Sequence, residues 1–138
     1  MEKDIIYTAL ENLRLIVGIE ALWQDRGPLD GMLDFTINGQ KFTFVVALKG
    51  ELRTHELQQI EEYCHINQYF LLVAKRIFPK IQEELRQREI PYLEANGNIY
   101  LKQDNIFLFV NTQKPLDIKK SKVNRAFTKT GLKVLFYL

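Results

Sequence analysis

Asp30, Asp34 and Lys49 are the residues of this chain whose types and spacing could do chemistry. All three fall in the stretch from Asp30 to Gly50, which reads as two strands joined at Asn38-Gly39, the dipeptide best suited to the positive φ of a two-residue hairpin turn. Side chains alternate across a strand, so Asp30, Met32, Asp34 and Thr36 share one side of the first. On the second, Thr43, Val45, Ala47 and Lys49 share a side, and Phe42, Phe44, Val46 and Leu48 face the other. A pair of carboxylates holds a hard divalent cation through oxygen ligands, and a nearby lysine orients or activates the attacking water. Acids on one strand beside a strand that ends in lysine is the layout of a metal-dependent nuclease.

The elements that must position these residues follow from the pattern along the chain. Ile6, Ala9, Leu10, Leu13, Ile16 and Val17 repeat every three to four residues, which predicts a helix over 2–17 stopped by Gly18. A strand over 19–24 and an Arg26-Gly27-Pro28 break lead into the hairpin. Thr54 is placed to cap a helix reaching about Asn67, with Leu57, Ile60, Tyr63 and Cys64 inward. The continuous apolar run from Tyr69 to Ala74 has the length and composition of a strand buried on both faces. Pro79 suits the first turn of a helix ending near Arg88, with Ile81 and Leu85 inward. Short strands follow at 91–94, 99–101 and 106–110, separated by turns at Asn96-Gly97-Asn98 and Asp104-Asn105. This order predicts an α/β domain built on a mixed sheet with helices layered on it.

Composition bounds the rest. The chain of 138 residues is one domain, or one domain with a fragment of a second, and its 46% apolar content supplies a core. No apolar run approaches the roughly 18 residues that cross a bilayer, which predicts no membrane partner. Cys64 is the sole cysteine, so no internal disulfide forms, in keeping with a cytoplasmic location. Charge is unevenly spread. Residues 1–113 carry 12 Lys/Arg against 16 Asp/Glu. From Lys114 onward Lys114, Lys119, Lys120, Lys122, Arg125, Lys129 and Lys133 face Asp117 alone. A mildly acidic domain followed by a basic segment suits contact with nucleic acid or a solvated linker, and Lys119, Lys120, Lys122, Arg125, Lys129 and Lys133 are the candidate phosphate-binding residues.

The division expected is a domain over 1–113, a basic linker over 114–124 and an apolar helix within 125–138 capped by Thr128. A chain that stops within an apolar helix predicts continuation in the natural protein, or a helix that packs back on the domain.

The helix, the acid-bearing hairpin ending at Lys49, and the helix and strand after it resemble the PD-(D/E)XK superfamily. The stretch Ile90-Pro91-Tyr92-Leu93-Glu94-Ala95-Asn96-Gly97-Asn98-Ile99-Tyr100-Leu101 resembles a narrower group, as does Arg125-Ala126-Phe127-Thr128-Lys129-Thr130-Gly131-Leu132-Lys133-Val134-Leu135. These are bacterial winged-helix transcriptional regulators related to antitoxins of the AbiE (type IV) toxin–antitoxin class. The resemblance implies a restriction-endonuclease-like three-layer fold, a central mixed sheet flanked by helices, with 125–138 opening a truncated winged helix. It also implies a metal-binding aspartate at Asp30, with Asp34 on the same side as its rival, and a catalytic lysine at Lys49.

One position departs from the superfamily's pattern. An active member carries Glu or Asp two residues before the lysine, and here that residue is Ala47, whose methyl group cannot ligate magnesium. Glu51, which would need a bulge or turn to reach the site, and Glu20 on the preceding strand are the substitute acids. The expectation is therefore a DNA-binding regulator or antitoxin-like protein whose nuclease-fold domain is catalytically vestigial, with no cofactor and no metal ligands. The alternatives are a magnesium-dependent DNA endonuclease with a relocated acid, and an interaction domain for a partner toxin. Gln59 and Tyr63 match the Gln-x-x-x-Tyr spacing of some nuclease relatives, or are plain helix surface and core edge. Cys64 and His65 are adjacent and diverge around a helix, which is poor zinc geometry. Neither a Gly-rich phosphate loop nor a nucleophile elbow is present.

Overall fold

The computed structural model describes residues 2–103, 106–111 and 134–136, with side chains for 4–103 and 106–111. Three helices, α1 (Glu2–Val17), α2 (Leu57–Ile66) and α3 (Pro79–Gln87), pack on one mixed sheet. Its strands are β1 (Glu20–Gln24), β2 (Gly31–Ile37), β3 (Gln40–Glu51), β4 (Phe70–Arg76), β5 (Tyr92–Glu94), β6 (Ile99–Gln103), β7 (Ile106–Val110) and β8 (Val134–Phe136). Neighbours in the sheet follow chain order from β1 to β8. The pairs β3–β4 and β4–β5 are parallel and all others antiparallel. The mixed α/β sheet expected from the sequence is present.

The apolar spacing of each element explains the layering. On α1, Ile6, Ala9 and Leu13 are fully buried against one sheet face, with Leu33, Phe35, Phe44, Val46, Leu71, Val73 and Leu93. The opposite face meets α2 and α3 through Ala47, Phe70, Leu72, Ala74 and Tyr92, against Leu57, Ile60, Ile81 and Leu85. Residues 70–74 are buried throughout, and alternate ones enter opposite cores, as the continuous apolar run requires.

Local chemistry fixes the joints. Asn38 (φ 52°) and Gly39 (φ 80°) both take positive φ, the signature of the tight hairpin turn between β2 and β3. Trp23 lies so close over Gly31 that a Cβ at residue 31 would enter the indole ring. Thr54 does not cap α2 as its type suggested. It begins a single 3-10 turn, Thr54–Glu56, in which the Glu56 carboxylate reaches back to the Arg53 N–H (2.8 Å). A carboxylate is the stronger acceptor for that orphan donor. Pro79 starts α3 as expected.

Within 125–138, expected to be helical, Val134–Phe136 is instead a strand antiparallel to β7. Its apolar residues satisfy the edge of β7 by backbone pairing, an alternative to a helical face that a short apolar run leaves open. The linker 114–124 and the six candidate phosphate-binding residues Lys119, Lys120, Lys122, Arg125, Lys129 and Lys133 lie outside the described residues.

Candidate functional site at the carboxyl ends of the parallel strands

β3, β4 and β5 run parallel, so their carboxyl ends gather at one rim of the sheet, where ligands of open α/β sheets commonly bind. Lys49, Ala74 and Glu94 form one row across these strands. Ala47, Leu72 and Tyr92 form the row before it.

Asp30, just before β2, enters this rim. Its N–H donates to Val46 O (3.0 Å), and its Oδ2 accepts from the Leu48 N–H (2.8 Å). The two bonds bracket Ala47. The aspartate, an exposed residue, is thereby set beside the residue two before Lys49. Lys49 itself is about one-quarter exposed and faces Glu56 (Nζ–Oε2, 3.7 Å), the acid that also closes the Arg53 turn. Sequence reasoning missed Glu56. Its position three residues beyond Arg53, the spacing of a capping box, was the signal available.

Asp34 does not join the rim. Four residues further along β2, about 13 Å at the usual strand rise, it accepts from Thr43 Oγ1 (2.8 Å) and Gln24 Nε2 (2.7 Å). The register opposite Thr43 decides between the two aspartates: Asp30, and not Asp34, is next to Ala47. Glu20 is further removed, paired with Thr36 at the other end of β2. Glu51 needs no bulge. β3 continues regularly through it, so it shares the side of Ala47 and Lys49, but it lies in register with Arg76 and about 13 Å beyond Ala47 along the strand.

These positions do not fit a magnesium ion. A hard cation held by protein needs carboxylate oxygens converging within about 2–2.5 Å of one point. Among the described residues Asp30 is the one acid set beside Ala47, which is 98% buried in the α2/α3 core. Among the described residues no group of three or more His, Cys, Asp and Glu could hold a metal ion.

What the rim does offer is positive charge and one exposed ring. Lys75 and Arg76 end β4 and are exposed, as are Arg53 after β3 and Lys80 in the first turn of α3. The Arg76 guanidinium sits 4.7 Å from the centre of the Phe78 ring, itself 39% exposed. Gln59 is exposed on α2, whereas Tyr63 packs near Phe70 (centroids 6.2 Å apart), matching the plain reading of surface and core edge. Cys64 is half-buried, and burial together with Glu61 raises its thiol above the ordinary value, away from nucleophilic chemistry.

Behind the rim, the stretch that carried the narrower resemblance is a buried polar turn. Every residue from 90 to 101 is buried. Glu94 Oε2 accepts from the Ile77 N–H (2.6 Å), and Oε1 from Gln82 Nε2 (2.8 Å) and Asn98 Nδ2 (3.0 Å). Gln82 also donates to Ile77 O (3.1 Å). The backbone closes through Glu94 N–H to Asn98 O (2.8 Å) and Gly97 N–H to Glu94 O (2.9 Å). Asn12 of α1 donates to Ala95 O (2.7 Å). Burial raises the Glu94 carboxyl above its ordinary value, and the three donors and Arg76 pull the other way. The turn joins α1, β4, α3, β5 and β6, and its acid is spent on structure.

No protein-family model matches the chain, and no curated protein or solved structure matches it.

Proposed function

We propose that this chain is the DNA-contacting domain of a regulator of the AbiE-antitoxin-related class. Its scaffold is restriction-endonuclease-like and its metal centre has been lost. The observation that carries this reading is the bracketing of Ala47 by the two hydrogen bonds of Asp30, with Lys49 two residues on. An aspartate and a lysine keep the places of a two-carboxylate nuclease site, and a buried methyl group stands where the second acid would be. The same rim presents Lys49, Arg53, Lys75, Arg76 and Lys80, the residue types that neutralise phosphates. The basic run that starts at Lys114 adds further positive charge.

In this reading the rim and the basic run hold the DNA backbone, and nothing in the described chain cuts it. The test is duplex binding by the full chain over a salt series, together with a cleavage assay in magnesium and in manganese. The expected result is binding that weakens steeply with salt and uncut DNA. Replacing Lys75 and Arg76 together by alanine should cost about tenfold in affinity and flatten the salt dependence by about two phosphate contacts. Absence of binding even at low salt overturns the DNA role. Cleavage that disappears in Asp30→Ala and Lys49→Ala overturns the lost metal centre.

A further inference from the structure

Phe78 stands where the fold gains little from it. It takes the N-cap position of α3, which Ser, Thr, Asp or Asn fills to accept from an amide of the first turn, and a phenyl ring cannot do so. Its ring is 39% exposed at the rim, so part of its apolar surface stays in water. The backbone beneath it is fixed. The buried Ile77 donates its N–H to Glu94 Oε2 (2.6 Å), and its carbonyl accepts from Gln82 Nε2 (3.1 Å). The Phe78 carbonyl accepts from the N–H groups of Ile81 and Gln82, both at 2.9 Å. Pro79 holds the residue before it to extended backbone, and Phe78 has φ −66° and ψ 150°. An exposed ring on so rigid a corner is preorganised for contact, with little freedom left to lose on binding.

The charges around the ring choose its occupant. Residues 75–80 read Lys-Arg-Ile-Phe-Pro-Lys, three positive charges and no acid. Arg76 shares the α3 side of β4 with Ala74, and its guanidinium lies 4.7 Å from the ring centre. Lys80 follows in the first turn of α3 and is exposed. Glu51 is in register with Arg76 on β3 and offsets part of that charge. An apolar plane set among cations matches a nucleotide, whose base stacks on a ring or a guanidinium and whose phosphate meets the positive groups. A base inside a duplex is already stacked and paired, and leaving the stack costs a few kcal/mol, so the base that fits is an unpaired one. We propose that Phe78 and Arg76 form a stacking site for an unpaired base of single-stranded DNA, with Lys80 on the adjoining phosphate. This rests on the DNA role proposed above and adds what the rim contacts beyond the backbone.

The experiment is fluorescence anisotropy of the full chain with three labelled probes carrying the same number of phosphates. These are a single-stranded thymidine oligonucleotide, the same sugar–phosphate backbone without bases, and a closed hairpin duplex. Circular dichroism verifies the fold of each variant. The wild type should bind the strand with bases about tenfold more tightly than the abasic strand. Phe78→Leu, which keeps apolar bulk without a ring, should remove about that factor, with the loss confined to the strand with bases. Phe78→Tyr, which keeps a ring, should bind as the wild type does. Equal affinity for the two single strands overturns the inference alone, as does a Phe78→Leu variant that weakens all three probes alike or none. Absence of binding to every probe overturns the DNA role and this inference with it.

Discussion

Two carboxylates at the same rim of the sheet have opposite fates. Glu94 is buried, and its oxygens accept three hydrogen bonds, from Ile77 just after β4, from Gln82 of α3 and from Asn98 of its own turn. Asp30 is exposed, and its carboxylate accepts from the Leu48 N–H. The difference teaches where stability and recognition are kept apart. A buried acid with several donors is committed, because removing it strands each donor away from water. An exposed acid with one backbone donor commits far less, so the outer rim is freer to change its chemistry while the inner turn holds the strands in place.

Breaking the inner half should have the largest effect. Glu94→Ala is expected to cost about 3–5 kcal/mol of unfolding free energy, read by denaturant titration, because Ile77, Gln82 and Asn98 lose their acceptor together. Gly97→Ala comes next. Gly97 has φ 99°, and an added Cβ would meet the tip of the Ile16 side chain, which can turn aside, and lie 3.3 Å from Asn12 Cβ, so a loss of about 1–2 kcal/mol is expected. Gly39→Ala offers the control. It has φ 80° but open space around it, and should lose about 1 kcal/mol, so any excess at Gly97 measures the contact with Asn12 and Ile16.

A third test uses pH. The Glu94 carboxyl is raised in the folded state, so the fold binds that proton more tightly than the unfolded chain does. Its contribution is fully present below the ordinary glutamate value and is lost as pH rises through the raised folded-state value. Thermal midpoints of the wild type should therefore fall across that window relative to those of Glu94→Gln, which cannot titrate. An unchanged difference between the two curves would refute the raised value. The smallest effect belongs to the outer rim. Lys49→Ala removes a partly exposed, long (3.7 Å) pair with Glu56 and should change stability by at most about 1 kcal/mol. A larger loss would erase the contrast between the two halves.

The sequence made some of this plain and hid the rest for physical reasons. The Asn38-Gly39 turn, the continuous apolar strand and the apolar stripe of α1 were legible because each depends on near neighbours in the chain. Asp34 and Asp30 could not be separated, because their strand parity is the same and only pairing with β3 tells them apart. Spacing counted Glu94 as the end of a short strand, and its burial comes from four elements closing over it. Thr54 carried the right residue type for a cap and lost to Glu56, whose carboxylate reaches the Arg53 N–H. Val134–Phe136 shows the reverse, where an available strand edge outweighed a helical pattern.

From β1 to β7, each strand lies beside the one made just before it. Sheet contacts over this span therefore close short loops, apart from the two helical crossovers, and folding need not wait for distant segments to meet. The hairpin at Asn38-Gly39 can form first and serve as the platform on which β4 and then β5 are laid. A chain emerging in order from the ribosome would meet each partner strand already in place.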